Sequence, residues 1–152
     1  MNNMFCFQCQ ETSRNQGCTV MGVCGKNDEV SNLQDVLIFV VKGVALYSNK
    51  LRQNNKIYEN VNEYLYRALF STITNANFDG EEIKEYIYEG IKLRKFLAKE
   101  LENTKILIDS KFEGSRLATF EFDESCDLVD LAHEIGVLRT ENEDIRSLRE
   151  II

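Results

Sequence analysis

There is no proline among the 152 residues. Proline breaks helices and stiffens loops, so a chain without it suits a helical fold. There is also no Gly/Ser-rich or low-complexity stretch to serve as a flexible linker. Positive charge is scarce, with 18 Lys and Arg against 25 Asp and Glu and a net charge of −7. General nucleic-acid binding needs clustered cations to neutralise phosphates, and this balance argues against it. Long apolar runs are missing as well. The longest, Val36 to Val41, is six residues, where roughly 18 are needed to span a bilayer. The amino end lacks the basic start, apolar stretch and small-residue cleavage site of a signal peptide. No phosphate-binding glycine loop, nucleophile elbow or HExxH occurs. The expectation is a protein with no nucleic-acid or membrane partner, in a reducing cytoplasm. There, grouped cysteines more often bind metal or do redox work than form disulfides.

What is present is enough apolar material, 43% of the chain, to build the core of one domain. Helical periodicity dominates after residue 30. Ser31 as N-cap with Gln34 three residues on reads as a capping box. Leu33, Val36, Leu37, Val40, Val41, Val44 and Tyr47 follow on one face of a helix running to about Gln53. A second helix falls within 55–74, with Ile57, Val61, Leu65, Leu69 and Ile73 on one side. A third falls within 77–103, with Asp79 and Glu82 as a capping box and a stripe of Ile83, Ile87, Ile91, Leu97 and Leu101. Short connections between three amphipathic helices predict an antiparallel three-helix bundle.

The stretch from Thr104 to Glu124 is less regular, and "RLATFEF" (116–122) reads as a short strand. Ser125 then opens a shorter helix through Leu128, Leu131 and Ile135, stopped by Gly136. Thr140 and Glu143 suggest a further capped helix. That helix stops on Ile151 and Ile152 without a cap, as if the chain were cut inside an element. "NLQDVL" (32–37) and "SLREII" (147–152) match in apolar and polar character, which hints at a second bundle beginning there. The expected organisation is a cysteine-rich loop over 1–30, a three-helix bundle over 31–104, and over 105–152 a connecting segment with the truncated start of a second bundle.

Four of the five cysteines lie in "MFCFQCQETSRNQGCTVMGVCGK" (4–26). Cys6, Cys9, Cys18 and Cys24 are separated by two, eight and five residues. Disulfides are disfavoured by compartment and by the large helical core. Four thiolates can close a tetrahedron on zinc, with Zn–S near 2.3 Å, but such sites usually use two tight pairs. Only Cys6 and Cys9 are tight. An iron–sulfur cluster is a larger object and suits looser spacing. Gly17, Gly22 and Gly25 would let the backbone approach and aim amides at the sulfurs. Phe5, Phe7, Val20, Met21 and Val23 would exclude water. The residues favour iron–sulfur and leave zinc open.

"CFQCQET", the "GC" at Gly17–Cys18 and "GVCGK" at 22–26 resemble the opening of the hybrid cluster protein family, also called prismane proteins or hydroxylamine reductases. "NLQDVLIFVVKG" extends the resemblance into the first helix, and "IGVLRTENEDIRSLREII" resembles the stretch leading into that family's second helical bundle. Family members are several times longer, so this chain resembles only their N-terminal portion. The resemblance implies that Cys6, Cys9, Cys18 and Cys24 are the ligands of the simpler cluster. It implies [4Fe–4S] rather than [2Fe–2S], since members with the latter have a longer gap between the second and third cysteines. That cluster would relay electrons, from a donor protein, to a hybrid Fe–S–O cluster in the missing C-terminal part. There hydroxylamine is reduced to ammonia, or nitric oxide to nitrous oxide. The hybrid-cluster ligands have no counterparts here, so turnover by this portion alone is not expected. A zinc-stabilised helical interaction module without redox activity is the alternative.

Other residues read plainly. Cys126 is a small filler and His133 a surface or core histidine. The aromatics from Tyr58 to Phe70 are bundle core, "DGEE" (79–82) is a helix start, and "KLRK" (92–95) is a solvated face.

Overall fold

The structure is a computed structural model describing residues 4–73, 78–104, 106, 112, 114–122, 126–136, 140–142, 144–145 and 148. It is all-α: helices α1 (Asp28–Arg52), α2 (Glu59–Ile73) and α3 (Gly80–Glu102), a helical turn α4 (Arg116–Thr119) and a short α5 (Leu128–Ile135). Among the described residues the extended pairing is limited to one antiparallel bridge, between Cys6 and Cys18.

α1 is the hub, packing against α2, α3, α4 and α5. It starts at Asp28, earlier than the predicted Ser31. The Asn27 side chain accepts from the Val30 amide at 2.9 Å, and Asp28 and Glu29 fill the first turn. A short polar cap followed by two acids satisfies the free amides and the helix dipole better than a start at Ser31. Ser31 and Gln34 are instead buried within the helix. The predicted end near Gln53 holds, because that residue is the C-cap. α1 is long enough, and in one window of mean hydropathy 1.4 apolar enough, to cross a membrane; 61% of that window is buried inside the protein. Its apolarity is that of a helix surrounded by others.

On α2 the buried face is Val61, Tyr64, Ala68 and Thr72. The predicted stripe held only in part: Ile57, Leu69 and Ile73 are exposed. Residues four apart advance about 40° around a helix per step, so an unbroken run of such steps winds off the core face. Of the aromatics from Tyr58 to Phe70, only Tyr64 is fully in the core, and Tyr66 and Phe70 stack on each other outside it. On α3 the expected stripe of Ile83, Ile87, Ile91, Leu97 and Leu101 is buried throughout. Asp79 caps it, accepting from the amides of Glu81 and Glu82.

"RLATFEF" is not a strand. Its first part is the turn α4, and its carbonyls are taken by side chains rather than by a neighbouring strand. Arg94 donates to the carbonyls of Leu117 and Ala118 at 3.2 and 3.4 Å, and Tyr47 donates to Ala118 at 3.2 Å. Arg94 is therefore buried, against the solvated face expected for "KLRK", and pairs with Glu121 at 3.5 Å. Phe120 meets Phe39 edge-on at 5.0 Å and Phe122 at 4.7 Å. The alternation in the sequence reflects aromatic anchoring on α1, not sheet pairing.

α5 is capped by Asp127, whose side chain accepts from Val129 and Asp130, and Leu128, Leu131 and Ile135 join the common core. The predicted opening at Ser125 lies outside the described residues. So do Glu143 of the predicted Thr140 box, the Ile151–Ile152 end, and all of 147–152 except Leu148. Asn142 accepts from the Ile145 amide at 3.0 Å, which is the hydrogen bond of an N-cap. Cys126 is half-buried against the core and His133 is exposed.

The bundle packs closely at Gly90. A Cβ there would lie 2.1 Å from Tyr64 Oη and 2.5 Å from Val40 Cγ1. Tyr64 is fully buried and donates to the Tyr86 carbonyl at 3.0 Å, so it cannot swing away freely. Alanine would gain about 1 kcal/mol of helix propensity. Overpacking outweighs this, and Gly90→Ala is expected to lower stability by about 1–3 kcal/mol net. A urea midpoint equal to or above that of the parent chain would contradict this packing.

Candidate metal centre

The site is built from residues 4–26, ahead of α1. Cys6 N–H donates to the Cys18 carbonyl at 3.0 Å, and Cys18 N–H to the Cys6 carbonyl at 2.9 Å. A residue pair that exchanges both bonds projects its side chains to the same side of the ribbon. This pairing brings residues 6 and 18 together. Gly17 makes the approach possible: its φ is +118°, and a Cβ would sit 2.5 Å from Phe5 Cε2. Phe5 is buried and lines a small cavity with Cys6, Gln8, Ser31 and Gln34, which ties the loop to α1. The segment from 22 to 26 is a tight turn, with Gly22 N–H donating to the Lys26 carbonyl and Gly25 N–H to the Gly22 carbonyl, both at 2.8 Å.

The two paired thiols differ electrostatically. Burial pushes the Cys6 thiol up, and the Gln8 amide and the Lys26 charge offset this only in part. Burial also acts upward on Cys18. There the amides of Ser13 and Val23, the Thr12 hydroxyl 3.9 Å from the sulfur, and Lys26 together outweigh it, and Cys18 lies below the ordinary thiol value. Amides aimed at sulfur stabilise thiolate. They come from Gln8, Ser13 and Val23, not from the glycines, whose part is to permit the turns.

All five cysteines are free thiols. Cys18 is buried, Cys6 and Cys9 half-buried, and Cys24 exposed. Among the described residues no three His, Cys, Asp or Glu side chains form a group able to hold a metal ion. The structure thus pairs Cys6 with Cys18 and, among the described residues, groups neither Cys9 nor Cys24 with them as a metal site. The expected water-excluding shell is also incomplete: Phe5 is buried, whereas Phe7, Val20, Met21 and Val23 are exposed.

Sequence reasoning missed three residues. Thr12, buried, donates to the Cys6 carbonyl at 3.2 Å beside the Cys18 sulfur. Gln34 is 2% exposed, and among the described residues its Oε1 has no hydrogen-bond partner. Lys26 is 1% exposed, and its ammonium donates to Gln8 Oε1 at 3.0 Å and Cys6 Sγ at 3.6 Å. The only signal for Lys26 was its place directly after the last cysteine turn; Thr12 and Gln34 gave none.

Residues 4–152 match the Prismane/CO dehydrogenase family. The chain belongs to this family. It is 45% identical over 150 residues to the hydroxylamine reductase of Bacteroides thetaiotaomicron, covering 99% of this chain and 26% of that protein. Similarity is equal, 45% over 150 residues, to the hydroxylamine reductase of Thermoanaerobacter pseudethanolicus, with 99% of this chain and 27% of that one covered. For the hydroxylamine reductase of Halothermothrix orenii the identity is 42% over 155 residues, with 99% and 28% covered. The chain spans about a quarter of the length of these relatives and corresponds to their N-terminal part.

Prismane family proteins carry iron–sulfur clusters. The chemistry of this loop fits such a group: four thiols in one loop, and a buried cation donating to one of their sulfurs. In the metal-free chain the Cys18 thiol is expected to ionise at lower pH than Cys6. A pH titration of the chain carrying Cβ-labelled cysteine, followed by NMR with Cys6→Ser and Cys18→Ser for assignment, reads the order directly. Earlier ionisation of Cys6 would refute the electrostatic reading.

Proposed function

We propose that Cys6, Cys9, Cys18 and Cys24 ligate a [4Fe–4S] cluster, and that this portion of the protein carries electrons within a hydroxylamine reductase-type oxidoreductase. The observation carrying the reading is the Cys6/Cys18 pair: two cysteines set side by side by a backbone bridge, with Lys26 donating to the Cys6 sulfur and the Thr12 hydroxyl 3.9 Å from the Cys18 sulfur. The matched relatives, named hydroxylamine reductases, supply the reaction class. The spacing of eight residues between Cys9 and Cys18 supports the [4Fe–4S] type, by the resemblance to members with a short gap.

When bound, the cluster supplies a one-electron store. The chain's own residues do the rest. Cys6 and Cys18 provide a prearranged pair of thiolates. Cys9 and Cys24 would complete the set, and binding would then be coupled to folding of the loop. Phe5 shields the α1 side from water, and Gln8, Ser13 and Val23 direct amides at the ligating sulfurs. Reduction of hydroxylamine to ammonia, or of nitric oxide to nitrous oxide, belongs in this reading to a hybrid Fe–S–O cluster held by the rest of a longer chain. That remainder and an electron-donor protein are the proposed partners. Half-exposed Phe7 and exposed Leu69 and Ile73, which line one groove beside the loop, give an apolar surface for the remainder. The proposed setting is the cytoplasm, which the five free thiols favour. Nothing observed favours the alternative of a zinc-stabilised interaction module.

Anaerobic purification should yield a brown chain with about four iron and four acid-labile sulfide, EPR-active on reduction. Cys9→Ala should lose the colour and loosen the N-terminal loop to proteolysis. A colourless chain with one zinc and no sulfide would overturn the reading.

A further inference from the structure

Lys26 is the one residue of the loop whose burial is hard to explain by packing alone. Its side chain is 1% exposed, and among the described residues no ion pair involves it. Its ammonium donates only to a neutral carboxamide, Gln8 Oε1, and to the Cys6 sulfur. An ammonium withdrawn from water needs a compensating negative charge. No carboxylate supplies that charge among the described residues. The nearest groups able to carry it are the sulfurs, and its field reaches both Cys6 and Cys18. The backbone fixes the arrangement at both ends. The Lys26 carbonyl closes the Cys24 turn by accepting from Gly22, and the next residue, Asn27, caps α1.

We propose that the Lys26 ammonium is the built-in counter-charge of the cluster, held against the Cys6 sulfur so that it stabilises the cluster's negative charge and favours its reduced state. This rests on the cluster assignment made above. Four thiolates around a core of about 2+ leave a net charge of about −2, and one added electron makes it about −3. A fixed positive charge at hydrogen-bond range stabilises the second state more than the first, because Coulomb energy scales with the product of charges. The electron comes from an external low-potential reductant. Lys26 forms and breaks no bond, and its proton stays on Nζ. It is a positioning residue, not a ligand.

The test is an EPR-monitored redox titration of the cluster-loaded chain, with dithionite and mediator dyes. Lys26→Met keeps the aliphatic stem and removes the charge, and it should shift the midpoint potential downward. Lys26→Arg keeps the charge and should lie close to the parent. A Lys26→Met chain that loads normally and titrates at the parent potential overturns the proposal. If Lys26→Met takes up no cluster, Lys26→Arg decides: loading supports the need for charge, and failure shows that side-chain shape, not charge, is what matters. A parent chain without iron and sulfide would instead sink the cluster assignment and this inference with it.

Discussion

Two backbone hydrogen bonds between Cys6 and Cys18 organise everything ahead of the first long helix. They close the turn that contains Thr12 and Gly17 and set two sulfurs on one side of the ribbon. Their net worth is modest, about 1 kcal/mol each. Fixing a residue's backbone costs about 1–2 kcal/mol in entropy. Two such bonds cannot by themselves hold the long stretch between the first and last thiols of the loop. Phe5 beside α1 and Lys26 on the Cys6 sulfur help at the Cys6 end, while Cys24 is exposed. In the proposed reading the loop is a partly assembled receptor, completed by the energy of ligation. Metal binding of this kind is local folding free energy.

The bundle behind the loop serves as a rigid mount. α1 is covered by α2, α3, α4 and α5, and its first turns carry Ser31 and Gln34, which line the cavity at Cys6. A helix packed on so many sides is poorly placed to follow its own N-terminus, so the rearrangement that the proposed ligation requires falls on the loop. Buried Arg94 plays a matching part at the other side of α1, where its guanidinium gathers the carbonyls of α4 and the carboxylate of Glu121. That cation is compensated by conventional partners. Lys26 is not, and the contrast isolates it.

α1 showed its period but not its cap, which is Asn27 rather than Ser31; a helix is legible in full where both signals lie in a short stretch of residues. α3 shows this best: Asp79 and its stripe read correctly because no other segment competes for them. α2 misled through its regular four-residue spacing, which fits a pattern on paper but leaves the core face in three dimensions. "RLATFEF" misled because alternation is a pairing signal only when a second strand exists. The four cysteines stood out by spacing and by the family they resemble. The roles of Thr12, Gln34 and Lys26 did not, since a threonine, a glutamine and a lysine are ordinary surface residues until folding buries them. Burial of a polar side chain is a property of the fold, not of the local sequence.

The charge balance makes the same point from the other direction. The chain carries −7 overall, so its own field disfavours adding a further negative centre. Distant surface charges are screened within about 10 Å at ordinary ionic strength. What governs an anionic group in the loop is thus the small number of dipoles and charges inside that range. The amides of Gln8, Ser13 and Val23 supply dipoles, and the Thr12 hydroxyl another. Lys26 supplies the full positive charge that is both buried and in contact with a cysteine sulfur. An ammonium on a flexible stem is a compact point charge, able to reach a single sulfur. The pairing of this side chain with this sulfur follows from the chemistry of each.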